Sequence, residues 1–203
     1  MKGLGVLSDE MAQIASDARK SVVRIVGRDG SLGAGTIWHP DGLIVTNAHV
    51  IHDRSVEVLL TEDDEAYPAH LIAEDTRQDI AALAIDLPGQ SLPTIRIGDS
   101  RRLRVGQWVM ALGHPWGVRH SLTAGTLIGF GSDLPEIQTG REWLALGLHL
   151  RPGHSGGPLL NADGELIGIN TMITGPEVGF AIPVHLVKTF LKETIGLRTA
   201  EAV

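Results

Sequence analysis

The stretch PGQSLPTIRIGDS, residues 88–100, separates two series of short β-rich runs. It contains two prolines and two glycines, which is typical of a linker. On both sides of it, turn signals such as HPDG (39–42) and NADG (161–164) separate the runs. Many short strands at regular spacing are typical of barrels and sandwiches. Two such series joined by a linker predict two β-barrels packed together.

Each series contains six candidate strands, and a helical pattern precedes the first series and follows the second. The pattern at the start predicts a helix from Ser8 to Lys20 with Ser8 as N-cap. At the end, Val184, Val187, Phe190 and Leu191 follow a helical stripe that Gly196 is placed to end. The predicted strands are 21–27, 35–38, 42–47, 55–60, 69–74, 80–86, 107–113, 120–130, 143–150, 157–161, 165–173 and 177–183.

These patterns predict an all-β fold of two packed six-stranded antiparallel barrels with short terminal helices. The expected organisation is a helical segment at 1–20, a first barrel at 21–92, a second barrel at 93–183, and a C-terminal helix and tail at 184–203.

Composition excludes several classes of function. The 203 residues carry a net charge of −7, which argues against nucleic acid as a partner. The absence of cysteine excludes disulfides, thiol catalysis and cysteine-ligated zinc.

No apolar run approaches the roughly 18 residues of a membrane span. The start, MKGLGVLSDEM, has an apolar stretch of only a few residues. This stretch is too short for a secretory apolar region of about 7–15 residues. The protein is therefore expected in the cytoplasm if this chain is complete, or in the periplasm or cell envelope if it is a mature fragment.

The stretch RPGHSGGPLL (151–160) contains a candidate nucleophile, Ser155. Gly153 before it and the glycines after it permit a tight turn. Such a turn can point the N–H groups of Gly153 and Ser155 into one concavity, where they would stabilise an oxyanion. The alternative is that these residues form an ordinary glycine-rich turn without a catalytic role. The serine also needs a base. His154 is excluded as that base because adjacent side chains diverge on a β-like backbone.

Among nine histidines, His49 is the best candidate for the base because it directly follows a β-rich run, in TNAHV. Its HxxH spacing to His52 lacks the glutamate of a zinc-protease helix, so no metal is expected. Asp79 opens the apolar run DIAALAID, where a carboxylate needs partners to offset desolvation. A histidine N–H is one such partner. The alternative is that Asp79 only caps the start of the strand. The order His49, Asp79, Ser155 is the order found on chymotrypsin-type double barrels.

Several longer motifs strengthen this pattern: GAGTIW, GLIVTNAHV, DIAALAI, GDS, GHP, TAGTLIG, GHSGGPLLNADGELIGINT and GFAIP. With them, the sequence from about Ser21 to Lys192 resembles the HtrA/Deg family of trypsin-like serine proteases. The resemblance implies a chymotrypsin-like fold and a serine endopeptidase that degrades unfolded or misfolded proteins through an acyl-enzyme, in protein quality control, without a cofactor. It implies that His49 is the general base, Asp79 the orienting acid and Ser155 the nucleophile. The implied oxyanion hole lies at Gly153, His154 and Ser155.

The resemblance also implies where the polypeptide substrate binds. The strand with Gly179, Phe180, Ala181 and Ile182 would pair with an extended substrate. The primary specificity pocket would be lined by residues near Ala181 together with Leu148, His149 and Leu150. His149 stands where trypsin-type enzymes place the acid that selects lysine or arginine. A small or medium apolar residue is therefore expected before the scissile bond.

Besides His149, this sequence departs from the family at two further places. His154 replaces the usual asparagine, and its side chain is expected to point away from the nucleophile. The family usually adds a PDZ domain after the C-terminal helix, whereas this sequence ends at Val203, either because it was cut or because it is a stand-alone protease.

Other questions stay open at the level of sequence. The loop from Leu150 to Gly153 can rest in an inactive form in such proteases. Residues 1–20 either form a homotrimer or cap the barrel of a monomer. The alternative functions are a pseudoprotease or chaperone-like binding module, a non-proteolytic interaction module, and an enzyme acting on esters.

Overall fold

A computed structural model describes residues 2–27, 30–51, 56–60, 65–119, 121–132, 140–174 and 178–196. The strands form two closed antiparallel barrels of six strands each, and a helix lies at each end of the chain. The predicted fold class is confirmed. No helix in the described ranges is long and apolar enough to cross a membrane.

The first barrel has the strand order β1-β2-β3-β6-β5-β4. Its interior is filled by aliphatic side chains such as Ile25, Ile44 and Leu83, all less than 2% exposed. The alternation of inward and outward residues along each strand produces this interior. The strands are β1 (Val22–Gly27), β2 (Leu32–His39), β3 (Leu43–Thr46), β4 (Val56–Leu59), β5 (Ala66–Asp75) and β6 (Ile80–Ile85).

The second barrel has the strand order β10-β11-β12-β9-β8-β7. Leu127, Leu146 and Leu159 lie in its interior and are fully buried. The strands are β7 (Trp108–Gly113), β8 (Ser121–Gly131), β9 (Trp143–Gly147), β10 (Pro158–Asn161), β11 (Leu166–Thr174) and β12 (Val178–Pro183).

A third apolar cluster joins the two barrels. It contains Val45 and Ile80 from the first barrel and Met110, Trp143 and Phe180 from the second. The rings of Trp143 and Phe180 meet edge to face with centroids 6.3 Å apart. Burial of this much apolar surface fixes the barrels against each other, so side chains from both can form one site between them.

The two helices pack onto this inter-barrel cluster. Helix α1 (Lys2–Ala18) contributes Met11 and Ile14, and helix α2 (Val184–Ile195) contributes Phe190 and Leu191. Helix α2 ends at a left-handed Gly196 with φ +65°, as predicted. The predicted homotrimer through residues 1–20 stays a prediction.

The predicted start of the first helix is wrong, because α1 begins at Lys2 and Ser8 lies inside it. Serine is only mildly unfavourable within a helix, so its presence did not mark an end. The predicted strand 143–150 is also too long. Strand β9 ends at Gly147, and Leu148, His149 and Leu150 lie in the loop that leads to Ser155. The tail at 197–203 lies outside the described residues.

Candidate active site

His49 and Asp79 form a direct pair at the edge of the first barrel. His49 lies in a short 3₁₀ helix (Ala48–Val50) that follows β3. Its Nδ1 lies 2.8 Å from Asp79 Oδ2 and 3.0 Å from Oδ1, and its backbone N–H donates to Oδ1 at 3.0 Å. The carboxylate thereby fixes the ring with Nε2 directed away from it. The imidazole side chain is 46% exposed and accessible to a substrate.

Asp79 occupies a backbone conformation that side chains rarely adopt. It precedes β6 with φ +59°, in the left-handed region that aspartate tolerates better than most residues. The Asn47 side-chain amide donates to the Asp79 carbonyl at 3.0 Å and holds this turn in place. Such strained positions persist where the surrounding structure determines them, and they cluster at functional sites.

The Asp79 carboxylate is held in its charged form. Burial by itself raises the pKa of Asp79, but hydrogen bonds from His49 and Thr171 and the nearby imidazole outweigh burial, and the pKa lies below its usual value. At neutral pH the carboxylate is therefore an acceptor for the His49 Nδ1–H. An acceptor at Nδ1 selects the tautomer whose Nε2 is free to take a proton.

Ser155 lies in the loop before β10 and reaches this pair through Thr171 on β11. Its Oγ donates to the Thr171 carbonyl at 2.7 Å, and the Thr171 Oγ1 donates to Asp79 Oδ2 at 2.6 Å. The three predicted catalytic residues therefore belong to one network. Among the described residues, no direct hydrogen bond joins Ser155 Oγ to the His49 ring. Such contacts are often loose in a protease without substrate.

Thr171 was not predicted from sequence. It is 4% exposed and lies in the middle of the β-rich run ELIGINTMI, where a threonine is an ordinary strand residue. Only its contact with Asp79, 92 positions away, distinguishes it.

Hydrogen bonds between the two barrels set the position of Ser155. The Ala34 N–H donates to the Ser155 carbonyl at 2.8 Å, and Thr36 Oγ1 donates to the Gly156 carbonyl at 3.1 Å. Gly156 has φ +86°, and a Cβ there would lie 2.0 Å from the Ala34 carbonyl oxygen. A glycine is thus required for the serine loop to approach β2 of the first barrel.

The residues before Ser155 form a tight turn. The His154 N–H donates to the Arg151 carbonyl at 2.9 Å, and Gly153 has φ +104°. Proline at the second position and a left-handed glycine at the third define a type II turn. Within the described residues, the Gly153 and Ser155 N–H groups donate to no protein atom. The predicted oxyanion hole included the His154 N–H. In the structure this N–H instead donates to the Arg151 carbonyl within the turn.

The side chain of His154 is buried behind this turn, with 3% of the residue exposed. Its Nδ1 lies 3.1 Å from both the N and the O of Arg151, and it makes no hydrogen bond to Ser155. Its Nε2 is buried and has no partner among the described residues. Burial lowers the pKa of His154 below its usual 6.5, the Arg151 charge acts in the same direction, and the backbone hydrogen bond opposes them.

A lowered histidine pKa makes the folded state less stable in acid. The unfolded chain binds the proton first, so stability is full above about pH 6.5 and is lost as the pH falls towards the folded-state pKa. His154→Asn cannot titrate and retains an acceptor for the Arg151 N–H. We expect this variant to lose less stability than wild type when the pH falls from 7.5 to 5.5. Urea midpoints of wild type and variant at pH 7.5 and 5.5 measure this. Equal losses in the two proteins would contradict the prediction, because the other eight histidines are common to both.

The predicted substrate-pairing strand is wrong. Gly179, Phe180 and Ala181 of β12 pair with β11 on one side and with β9 on the other, so no edge remains for another strand. Phe180 and Ile182 are also buried in the inter-barrel cluster.

A free strand edge lies on β11 instead. β10 pairs with β11 only from Leu166 to Ile169, and Asn170 then bonds to Gly156 and Gly157. From Thr171 to Thr174, the edge facing away from β12 carries no strand among the described residues.

Two of the predicted specificity residues, Leu148 and Leu150, pack against β12. Leu148 and Leu150 are each 4% exposed and share the interior cluster of the second barrel with Ala181, whereas His149 is exposed. A Cβ on Gly179 would lie 2.9 Å from Leu150 Cγ. Leu150 therefore packs directly on the Gly179 backbone and occupies space there.

A second serine–histidine–acid arrangement shares no residue with this site. Ser100 Oγ is 2.9 Å from His185 Nδ1, and His185 Nε2 is 3.2 Å from Glu142 Oε2. Ser100 is 8% exposed and accepts the His185 backbone N–H at 3.1 Å. These contacts tie the inter-barrel linker to the start of α2.

The described residues contain no group of three or more histidine, aspartate and glutamate side chains that could hold a metal ion. His52, the second histidine of the HxxH spacing, lies outside the described residues.

Comparison with known proteins agrees with the fold. The model of the trypsin-like peptidase domain matches residues 33–169, more than half of the chain. The chain therefore belongs to the trypsin-like peptidase domain family.

Its relatives include proteins named "Probable periplasmic serine endoprotease DegP-like". One from Pseudomonas putida (strain W619) is 41% identical over 161 residues, covering 77% of this chain and 33% of that protein. The one from Chlamydia pneumoniae is 36% identical over 168 residues, covering 80% and 34%. The chain thus spans about a third of the length of these relatives.

A solved structure of "HtrA-type protease AlgWS227A with tripeptide" is also similar. It has a TM-score of 0.82 and 31% identity, covering 91% of this chain and 63% of that one. The predicted resemblance to HtrA/Deg-type serine proteases is confirmed.

Proposed function

We propose that this chain is a serine endopeptidase that cleaves unfolded or misfolded polypeptides through His49, Asp79 and Ser155, and so serves protein quality control. The observation that carries the proposal is the continuous set of contacts from His49 through Asp79 and Thr171 to Ser155. The three residues stand in the order typical of a double-barrel protease, and this network joins His49 and Asp79 of the first barrel to Ser155 of the second.

In the proposed reaction, Ser155 Oγ turns from the Thr171 carbonyl towards His49 Nε2 and attacks the substrate carbonyl carbon. Nε2 takes the hydroxyl proton, and Asp79 stabilises the resulting imidazolium through Nδ1–H. The unpartnered N–H groups of Gly153 and Ser155 bind the developing oxyanion.

His49 then returns the proton to the leaving amine as the C–N bond breaks. The acyl group stays on Ser155 Oγ. Water, deprotonated by His49, hydrolyses this ester and restores the serine.

The substrate class follows from the free edge of β11. We propose that the acyl half of the substrate adds to this edge as an extended strand, beginning beside Thr171. Pairing of this kind uses main-chain hydrogen bonds, which any sequence can supply. Only a segment that is not already folded has its backbone groups available, which favours unfolded chains over native proteins.

The contact of Leu150 with Gly179 supports a restricted specificity pocket. A long side chain entering there must displace Leu150, whereas a small or medium apolar side chain needs less space. The exposed His149 provides no negative charge to neutralise lysine or arginine. We therefore propose a small or medium apolar residue before the scissile bond.

Digestion of a proteome-derived peptide library, with cleavage sites read by mass spectrometry, tests the proposal. We expect cuts after alanine, valine and similar residues, and none after lysine or arginine. A Ser155→Ala sample purified in parallel controls for contaminating proteases. Absence of cleavage, or the same cleavage by both samples, would reject the proposed function.

A further inference from the structure

An exposed tryptophan lies close to the turn at residues 151–154, here called the oxyanion turn. Trp116 is 71% exposed and lies in the short 3₁₀ helix Pro115–Gly117, between β7 and β8. Its φ of +54° is left-handed, which is unusual for a bulky residue. Val118, two positions later, is 57% exposed. Single exposed apolar residues are common, but two together on a strained backbone need an explanation.

Three contacts fix this tryptophan relative to the oxyanion turn. The His114 N–H donates to the Gly153 carbonyl at 2.8 Å. A Cβ on Gly153 would lie 2.5 Å from the His114 carbonyl oxygen, so the two segments are in close backbone contact. The Arg151 guanidinium lies 4.9 Å from the centre of the Trp116 ring, in a cation–π contact. The ring is therefore held next to the turn that directly precedes Ser155.

The strand order shows on which side of the nucleophile this ring lies. β10, which begins just after Ser155, is between β7 and β11 in the barrel. The free edge of β11 at Thr171 is thus on one side of Ser155, and the loop that follows β7 is on the other. An extended chain that pairs with β11 and continues across Ser155 next meets the loop at 114–118.

We infer that Trp116 and Val118 form a binding subsite for an apolar side chain of the substrate segment that follows the scissile bond. The inference rests on the proposed function, in which the acyl half of the substrate occupies the β11 edge. Tryptophan offers a large rigid apolar area, and such residues dominate binding at recognition surfaces. The Arg151 cation restrains the ring, so less rotational freedom is lost when a substrate side chain covers it.

Two matched peptides test the subsite. They share the acyl half and differ after the scissile bond, where one has leucine and the other glycine at the first two positions. We expect wild type to cleave the leucine peptide with the higher kcat/KM. In Trp116→Ala the ratio of the two kcat/KM values should fall about tenfold, the lower end of the discrimination that an apolar pocket provides.

Two further variants keep the result interpretable. Trp116→Gly suits the left-handed backbone and should give the same fall in the ratio without adding strain. Trp108→Ala removes another exposed tryptophan, 40% exposed, from the opposite end of β7, and should leave the ratio unchanged.

A wild-type enzyme without preference for the leucine peptide, or a ratio that is the same in wild type and Trp116→Gly, overturns the subsite. If wild type takes a fluorophosphonate label on Ser155 while either of these results holds, the subsite alone is wrong. If it takes no label and cleaves neither peptide, the proposed function is wrong and the subsite fails with it.

Discussion

Replacement of Ser155 by alanine is expected to abolish labelling by a fluorophosphonate and to lower kcat for peptide hydrolysis by about 10⁶-fold. In the proposed mechanism the Ser155 hydroxyl oxygen forms the acyl-enzyme, and no neighbouring side chain can replace it. The protein should keep its thermal midpoint, because Ser155 is only partly buried and loses a single hydrogen bond, to the Thr171 carbonyl. Labelling is read by mass spectrometry of the tryptic peptides, and folding by circular dichroism.

The second serine–histidine–acid arrangement supplies a matched control. Ser100 has a histidine and a glutamate in line with it, but it is buried, and its Oγ also accepts the His185 backbone N–H. We expect Ser100→Ala to retain full labelling at Ser155. A label found on Ser100, or labelling that survives in Ser155→Ala, would show that the nucleophile has been assigned to the wrong serine.

Replacement of Asp79 by asparagine is expected to lower kcat by about 10⁴-fold while the fold is preserved. Both carboxylate oxygens accept hydrogen bonds, from His49 Nδ1, the His49 N–H and Thr171 Oγ1. An asparagine replaces one acceptor by an NH₂ donor. Donation from that group to Nδ1 favours the tautomer with the proton on Nε2, which cannot accept the serine proton.

Steady-state kinetics on one peptide substrate measure this effect, with Asp75→Asn as control. Asp75 ends β5, four residues away, and its carboxylate accepts the backbone N–H groups of Arg77 and Gln78 without touching His49. Its replacement should leave kcat within a few-fold of wild type. If Asp79→Asn also stays within tenfold, the Asp79–His49 pair does not determine the tautomer used in catalysis.

Local sequence was sufficient for the positions of most strands and for the three candidate catalytic residues, although it extended β9 into the loop at 148–150. Alternating apolar positions and turn signals mark each strand directly. Ser155 and Asp79 were also found from local context, as a serine between glycines and as an aspartate at the start of an apolar strand. The left-handed backbone of Asp79 leaves no mark in the sequence, because aspartate starts strands in ordinary conformations as well.

The substrate-binding strand could not be predicted in the same way. β11 and β12 have similar apolar patterns, and which of them has a free edge depends on the neighbours that each acquires when the barrel closes. β12 is enclosed by β9 and β11, whereas β11 loses its partner β10 after Ile169. Whether a strand has a free edge depends on its neighbours in the complete sheet, so the sequence of one strand does not reveal it.

By itself, the sequence determined the two barrels, the order of the candidate catalytic residues and the glycines that allow the turn before Ser155, because these depend on local periodicity and backbone freedom. Only the tertiary structure decided that Thr171 joins Asp79 to Ser155, that the His154 N–H is used within the turn, and that Trp116 lies beside the site. Each of these depends on contacts between segments far apart in the chain. The apolar cluster between the barrels brings those segments together.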